Sequence, residues 1–85
     1  MNNHIIVQFE PFDIQQQIMV YIDGKCVSHS YTTVDKIVDA VDALKIEYNI
    51  NQIELYGYHD YLTRYKALMK TKFNDNNCKI DIIER

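Results

Sequence analysis

The sequence contains little glycine or proline and no tryptophan. Two of its 85 residues are glycine and one is proline, so neither a flexible linker nor a low-complexity segment is expected. No apolar run approaches the roughly 18 residues of a membrane-spanning helix, which argues against a membrane protein. Residues 1–4 do not begin a basic segment followed by an apolar one, so we expect no signal peptide and a cytoplasmic location.

The chain also lacks an excess of basic residues. Nine Lys and Arg oppose 12 Asp and Glu, for a formal net charge of −3. Proteins that bind nucleic acid need a cationic patch, because phosphate contacts dominate their affinity, so the overall charge argues against that function. Cys26 and Cys78 are too few for a disulfide framework and, in a cytoplasmic chain, are expected to be thiols.

What the sequence does contain is typical of one folded domain. Apolar residues make up 47% of the chain, and its length suits a single domain over residues 1–85. Alternating and β-branched runs predict five strands, and apolar residues at helical spacing predict two helices, A and B. The predicted strands cover residues 5–9, 18–22, 25–31, 53–56 and 79–83, and a turn is predicted over residues 74–77.

Local signals set the boundaries of these elements. The pair Asp23-Gly24 predicts a two-residue hairpin turn between strands 2 and 3, because both positions of a type I′ turn need a positive φ. Helix A extends from Val34 to near Asn49, with Thr32 and Thr33 as candidate N-caps. Asp60 is the predicted N-cap of helix B.

The element order β-β-β-α-β-α-β predicts the sheet topology. Crossovers between parallel strands are right-handed in nearly all folds. Both crossovers place their helices on one face if the strand order is 3-2-1-4-5. We therefore predict an α/β fold, with a five-stranded mixed sheet and two helices on one face.

This order resembles the core of the ribonuclease-H-like fold over nearly the whole chain. Nucleases of that family carry an aspartate in the first strand, a glutamate in the first helix and an aspartate at the end of the fourth strand. Here strand 1 offers Ile6 and Gln8, and Gly57, directly after strand 4, lies near the family's carboxylate position. The resemblance therefore implies a stripped, non-catalytic version of the fold. The isoleucine- and tyrosine-rich composition also resembles that of small bacteriophage accessory proteins.

Strand alternation leaves a mixed surface on the face without helices. Aromatic and Met side chains are enriched in interface cores, so we interpret this face as a contact surface for a host protein or for a second copy of the chain. An ordinary solvated sheet face is the simpler alternative. The residues assigned to the contact surface are Ile6, Met19, Tyr21, Glu54, Tyr56 and Ile83.

A second candidate site follows strand 4. Tyr58, His59 and Asp60 lie where a strand leads into a helix, and ligands of open α/β sheets bind beyond the carboxyl ends of strands. His59 beside Asp60 could serve as an oriented base. The simpler interpretation is a helix cap, Asp60, next to a solvated histidine.

Charged residues on the two helices provide weaker candidates. Asp35, Asp39 and Asp42 form an acidic ridge on helix A that would suit a basic partner, or would only aid solubility. Helix B and strand 5 carry basic residues, which fall on different sides of the helix and more simply form a solvated surface. These residues are Arg64, Lys66, Lys70, Lys72 and Lys79.

No established catalytic or metal-binding spacing occurs in the chain. Histidines and cysteines are scattered, without a CxxC or HxxxH pair, so no metal or cofactor is expected. We predict a non-enzymatic interaction module, in particular a small phage accessory or inhibitor protein that binds a host protein. One alternative is a degenerate metal-dependent nuclease that uses Asp60, Glu54 and Asp81, and another is weak nucleic-acid binding through helix B.

Overall fold

The computed structural model describes residues 3–10, 14–73 and 78–84, which form one mixed sheet and two α-helices. The elements are β1 (His4–Gln8), β2 (Gln15–Ile22), β3 (Lys25–Thr33), α1 (Ile37–Tyr48), β4 (Gln52–Gly57), α2 (His59–Lys72) and β5 (Lys79–Glu84). The strand order is β3-β2-β1-β4-β5, with β1 antiparallel to β2 and parallel to β4. This confirms the predicted fold class and strand order. The turn predicted over residues 74–77 lies outside the described residues.

One hydrophobic cluster joins both helices to the same face of the sheet. Alternate strand residues enter this cluster and the residues between them do not, which is the pattern of a sheet covered on one side. The strands contribute Ile5, Val7, Ile18, Val20, Ile53 and Leu55, the segment after β1 contributes Phe9, and the helices contribute Ile37, Val41, Leu62, Tyr65 and Met69. The predicted helix side of the sheet is therefore confirmed, with Ile22, Ile80 and Ile82 only partly buried.

Strand β2 begins three residues earlier than predicted, within a run of glutamines. Gln16 occupies a helix-side position and is only 1% exposed. Its side-chain oxygen accepts a hydrogen bond from the backbone N–H of Glu10 at 3.0 Å. This bond offsets the cost of burying an amide, which allows a polar residue in a position that alternation assigns to apolar ones.

The helix starts differ from the predictions. Thr33 precedes a 3₁₀ turn, Val34–Lys36, and makes no side-chain capping bond, so α1 begins at Ile37 rather than Val34. Helix α2 has Tyr58 as its N-cap, again without a side-chain bond. The assignment of Asp60 as N-cap was therefore wrong: it lies inside the first turn, where its charge still favours the positive end of the helix dipole.

The remaining sequence expectations concern membranes and cysteines. Within the described ranges, no helix is long and apolar enough to cross a membrane. Cys26 lies on β3, and Cys78 precedes β5 at the opposite edge of the sheet. No disulfide joins these two residues.

Candidate functional site: the open sheet face

The face of the sheet opposite the helices is the main candidate site, and we call it the open sheet face. It carries alternate residues of all five strands, and the strand registers align them in rows across the sheet. One row is Tyr31, Gln17, Gln8, Tyr56 and Ile83, and the next is His29, Met19, Ile6, Glu54 and Asp81. His4 and Tyr21 are partners in the row beyond. All six residues predicted for the contact surface therefore lie on this face, and each is half-buried.

A polar cluster occupies the centre of the open sheet face. The His4 ring stacks on Tyr21, with centroids 5.0 Å apart and planes 6° from parallel. Its Nε2 lies 3.9 Å from the Glu54 carboxylate, which also accepts a hydrogen bond from the Tyr56 hydroxyl at 3.4 Å. Burial, and then the neighbouring carboxylate of Glu54, raise the pKa of Tyr56. The phenol, which is protonated at neutral pH even at the ordinary pKa of about 10, remains a donor to Glu54.

The polar groups around this centre also have partners on the same face. The Tyr21 hydroxyl contacts the Met19 sulfur at 3.6 Å. The Asp81 carboxylate accepts a hydrogen bond from the Gln52 amide at 3.5 Å and lies 3.8 Å from the Lys79 ammonium. A partner that covered this face would therefore leave few polar groups buried without a hydrogen bond. Such unpaired groups are what make the desolvation of a surface costly.

Sequence reasoning missed the contribution of β3 to this face. A register shift between Val20 and Tyr21 inserts one extra residue into β3. This bulge places His29 and Tyr31 on the open sheet face. Their rings pack edge to face, with centroids 5.2 Å apart, and His29 contacts the side chain of Gln17. Tyr31 is 61% exposed, so it extends the aromatic surface to the sheet edge.

The carboxylates proposed for a nuclease centre are not assembled as one site. Glu54 and Asp81 are register partners on β4 and β5, but their nearest polar groups are the His4, Tyr56, Gln52 and Lys79 side chains described above. Asp60 instead lines a hollow of about 340 Å³ beside Tyr61 and Arg64. Among the described residues, no group of three or more His, Cys, Asp or Glu side chains could hold a metal ion.

The segment Tyr58, His59 and Asp60 does not form one site either. Tyr58 is 47% exposed. His59 does not pair with Asp60: its Nδ1 lies 2.8 Å from the carboxylate of Glu84 at the end of β5. The hydrogen bond to Glu84 and the charge of that carboxylate raise the pKa of His59. The histidine thus joins α2 to β5, whereas Asp60 belongs to the separate hollow.

The acidic ridge is interrupted by the start of the helix. Asp35 belongs to the 3₁₀ turn, while Asp39 and Asp42 lie in α1. Asp42 lies 4.0 Å from the ammonium of Lys72 on α2. Because one of its three carboxylates has a basic neighbour and another precedes the helix, the ridge is not a uniform acidic stripe.

Comparisons with known proteins show a shared fold without a shared sequence. No protein-family model matches the chain, and no curated protein matches it. The structure is similar to that of a PPX-GPPA enzyme from Aquifex aeolicus, with a TM-score of 0.52 and 9% sequence identity. The likeness covers 98% of this chain and 36% of that chain. At this identity it shows the fold alone.

Proposed function

We propose that this chain is a non-enzymatic interaction module that binds a partner protein through the open sheet face. The observation that supports the proposal is the internal pairing of the polar groups on this face. The Tyr56 hydroxyl donates a hydrogen bond to Glu54, whose carboxylate lies 3.9 Å from the His4 ring, and the Gln52 amide donates to Asp81. The groups left for a partner include aromatic rings, the apolar side chains of Ile6 and Ile83, and the amide of Gln8.

These groups are of the kind that interfaces use. Tyrosine and methionine are enriched in the buried cores of protein interfaces, and tyrosines often dominate the binding energy. Both helices lie on the other side of the sheet, so no element among the described residues covers this side. A partner protein would form a layer on the open sheet face, as the two helices form a layer on the other face. Domains are built from such packed layers.

The specific form of the proposal is a small phage accessory or inhibitor protein that acts in the cytoplasm on a host protein. Its support is the composition of the chain and the lack of a recognised catalytic pattern in the sequence. A second copy of the chain is the other candidate for the same face, and solution mass separates the two.

The proposal is tested by placing charges on the open sheet face without changing net charge. In the variant Tyr21→Glu/Tyr56→Lys, the new ammonium lies beside the carboxylate of Glu54 and the new carboxylate lies beside the imidazole ring of His4, so the fold should tolerate both. The matched control is Ile46→Glu/Tyr58→Lys, whose two positions are 73% and 47% exposed on other surfaces. Tagged forms of the three proteins are incubated with extract of the source cells, and retained proteins are identified by mass spectrometry.

We expect the wild type and the control to retain the same protein and the Tyr21/Tyr56 variant to lose it. The purified partner should then bind the variant at least about 100-fold more weakly, since two central aromatic anchors are removed. Equal retention by a folded Tyr21/Tyr56 variant would show that the partner binds elsewhere.

A further inference from the structure

A groove on the helix side of the sheet runs between α2 and the edge strand β5. Its volume is about 770 Å³, and it lies apart from the open sheet face. Helix α2 contributes one stripe of side chains and β5 contributes the floor and one end. The lining residues are His59, Thr63, Lys66, Ala67, Lys70, Ile82 and Glu84.

The strand along this groove is an edge strand of the sheet that the described residues form. β5 is hydrogen-bonded to β4 on one side, and no described strand lies on its other side. Its outward N–H and C=O groups are therefore available for a further strand. Extended peptides bind proteins by adding a strand to such an edge, with a neighbouring groove selecting their side chains.

The charged side chains that line the groove indicate the charge of the peptide that it would bind. His59 and Glu84 pair with each other at one end. Lys66 and Lys70 form no ion pair with any described residue, and they share the groove with the apolar side chains of Ala67 and Ile82. The groove therefore presents two unpaired ammonium groups on a chain whose net charge is −3.

The spacing of these lysines matches an extended chain. Lys66 and Lys70 are four residues apart on α2, which is about 6 Å along the helix axis. Side chains on one face of a strand recur every two residues, about 6.7 Å apart. Two acidic residues at alternate positions of an added strand would thus lie opposite the two ammonium groups.

We propose that this groove binds an extended acidic peptide segment of a partner protein, which adds to β5 as a sixth strand. Its alternate acidic side chains pair with Lys66 and Lys70, and its backbone continues the sheet ladder. A single-stranded nucleic acid fits less well. The groove lining contains no phenylalanine or tyrosine ring on which bases could stack, and a strand edge offers alternating donors and acceptors that a peptide backbone matches.

The test is an NMR titration of the isotope-labelled protein with a capped hexapeptide. Glutamate occupies two alternate positions of the peptide, and valine or threonine occupies the other four. One control peptide has lysine in place of both glutamates. A second keeps the glutamates and has a central proline, which cannot donate to the ladder.

We expect saturable shifts in the amides of β5 and along the groove side of α2, with slower exchange of the β5 amides. Both control peptides should bind at least about tenfold more weakly. The double variant Lys66→Glu/Lys70→Glu should weaken binding of the acidic peptide by at least about tenfold. The variant Lys25→Glu/Lys36→Glu changes net charge equally at two exposed positions away from the groove, and it should change the affinity less than about twofold.

Three results would overturn the proposal. Equal binding of the proline peptide, or shifts of lysine resonances without shifts of the β5 amides, would show an anion site that ignores the strand edge. Equal loss of binding in both lysine variants would show only long-range attraction. None of these results involves Tyr21 or Tyr56, so the groove and the open sheet face are tested independently.

Discussion

At Gly57 the backbone of β4 closely approaches that of Phe9, which follows β1. The φ of Gly57 is +155°, and a Cβ atom placed there would lie 2.7 Å from the carbonyl oxygen of Phe9. The Phe9 N–H donates to the carbonyl of Tyr56 at 2.7 Å, so the two backbones are fixed side by side. Any side chain at this position would have to push apart two backbone segments that carry core residues.

We therefore expect Gly57→Ala to lower the free energy of unfolding by about 2–3 kcal/mol, from backbone strain and the clash with Phe9. The control is Gly24→Ala, at the exposed tip of the β2–β3 hairpin with φ 80°. Gly24→Ala should lower the free energy of unfolding only by the cost of a positive φ, about 1–2 kcal/mol. Urea unfolding monitored by circular dichroism measures the free energy of unfolding of both variants. Equal losses of unfolding free energy in the two variants would mean that the close approach of Gly57 to Phe9 contributes nothing.

Single residues also show where prediction from sequence ends. Alternation correctly assigns Ile6, Met19 and Tyr56 to one face, because β-strand side chains point to opposite sides in turn. It does not predict the buried Gln16, whose position depends on a hydrogen bond from Glu10, six residues earlier in the chain. Such pairing of a buried polar group with distant backbone has no pattern in the local sequence.

At the scale of elements, the bulge between β2 and β3 decides which face β3 presents. The Asp23-Gly24 turn pairs Ile22 with Lys25 and Tyr21 with Cys26. Without an extra residue, that register would continue to place Ser28 opposite Met19. The bulge places His29 there instead, and a shift of one residue moves every later side chain to the other face. Turn chemistry predicts the hairpin, but the sequence carries no clear signal for the bulge.

Helix starts were less predictable than helix interiors for a related reason. The apolar spacing of both helices reflects burial, since residues at that spacing, such as Val41, Leu62 and Met69, lie in the core. The starts were inferred from capping side chains, yet neither helix uses one. The 3₁₀ turn is joined to α2 instead: the Tyr65 hydroxyl donates to the Val34 carbonyl at 2.9 Å. A tertiary contact therefore fixes the start of this segment, although it does not satisfy the N–H groups that a capping side chain would.

Helix α2 and strand β5 are joined by the His59–Glu84 pair, which provides a test of their arrangement. We expect Glu84→Gln to lower the pKa of His59 toward its ordinary value, because the variant removes both the charge and the strong acceptor that favour the imidazolium. Following the ring proton resonances through a pH titration by NMR measures this change. Glu47→Gln, at an exposed position on α1, serves as the control and should leave the titration unchanged.

The sign of the pH effect follows from the raised pKa. The pair stabilises the fold while His59 is protonated, so its contribution is complete below the ordinary pKa of about 6.5 and is lost as pH rises through the raised value. The contribution is small, since the two side chains are 70% and 54% exposed. An unchanged His59 titration in the Glu84→Gln variant would contradict the contact between His59 and Glu84 at one end of the groove.

At the scale of the whole molecule, the size of the open sheet face limits what can cover it. Five strands about 4.8 Å apart and three rows of side chains give a face on the order of 500 Å². Stable protein interfaces bury about 800 Å² on each partner. A second copy stacked face to face can use little beyond this area, whereas a foreign partner can continue past Tyr31 or Ile83 onto the sheet edges.

We therefore expect the purified chain to be a monomer at micromolar concentrations. Light scattering across a concentration series should give a mass near 10.1 kDa that rises little with concentration. This result would leave Tyr21 and Tyr56 accessible and favour a foreign protein as the partner. A concentration-independent mass of about twice that value, reduced to the monomer by Tyr21→Glu/Tyr56→Lys, would instead show that the open sheet face binds its own copy. A stable dimer that survives those substitutions would mean that self-association uses another surface. The edge of β3 would be the next to examine, since β3 is the second edge strand of the sheet as the described residues form it.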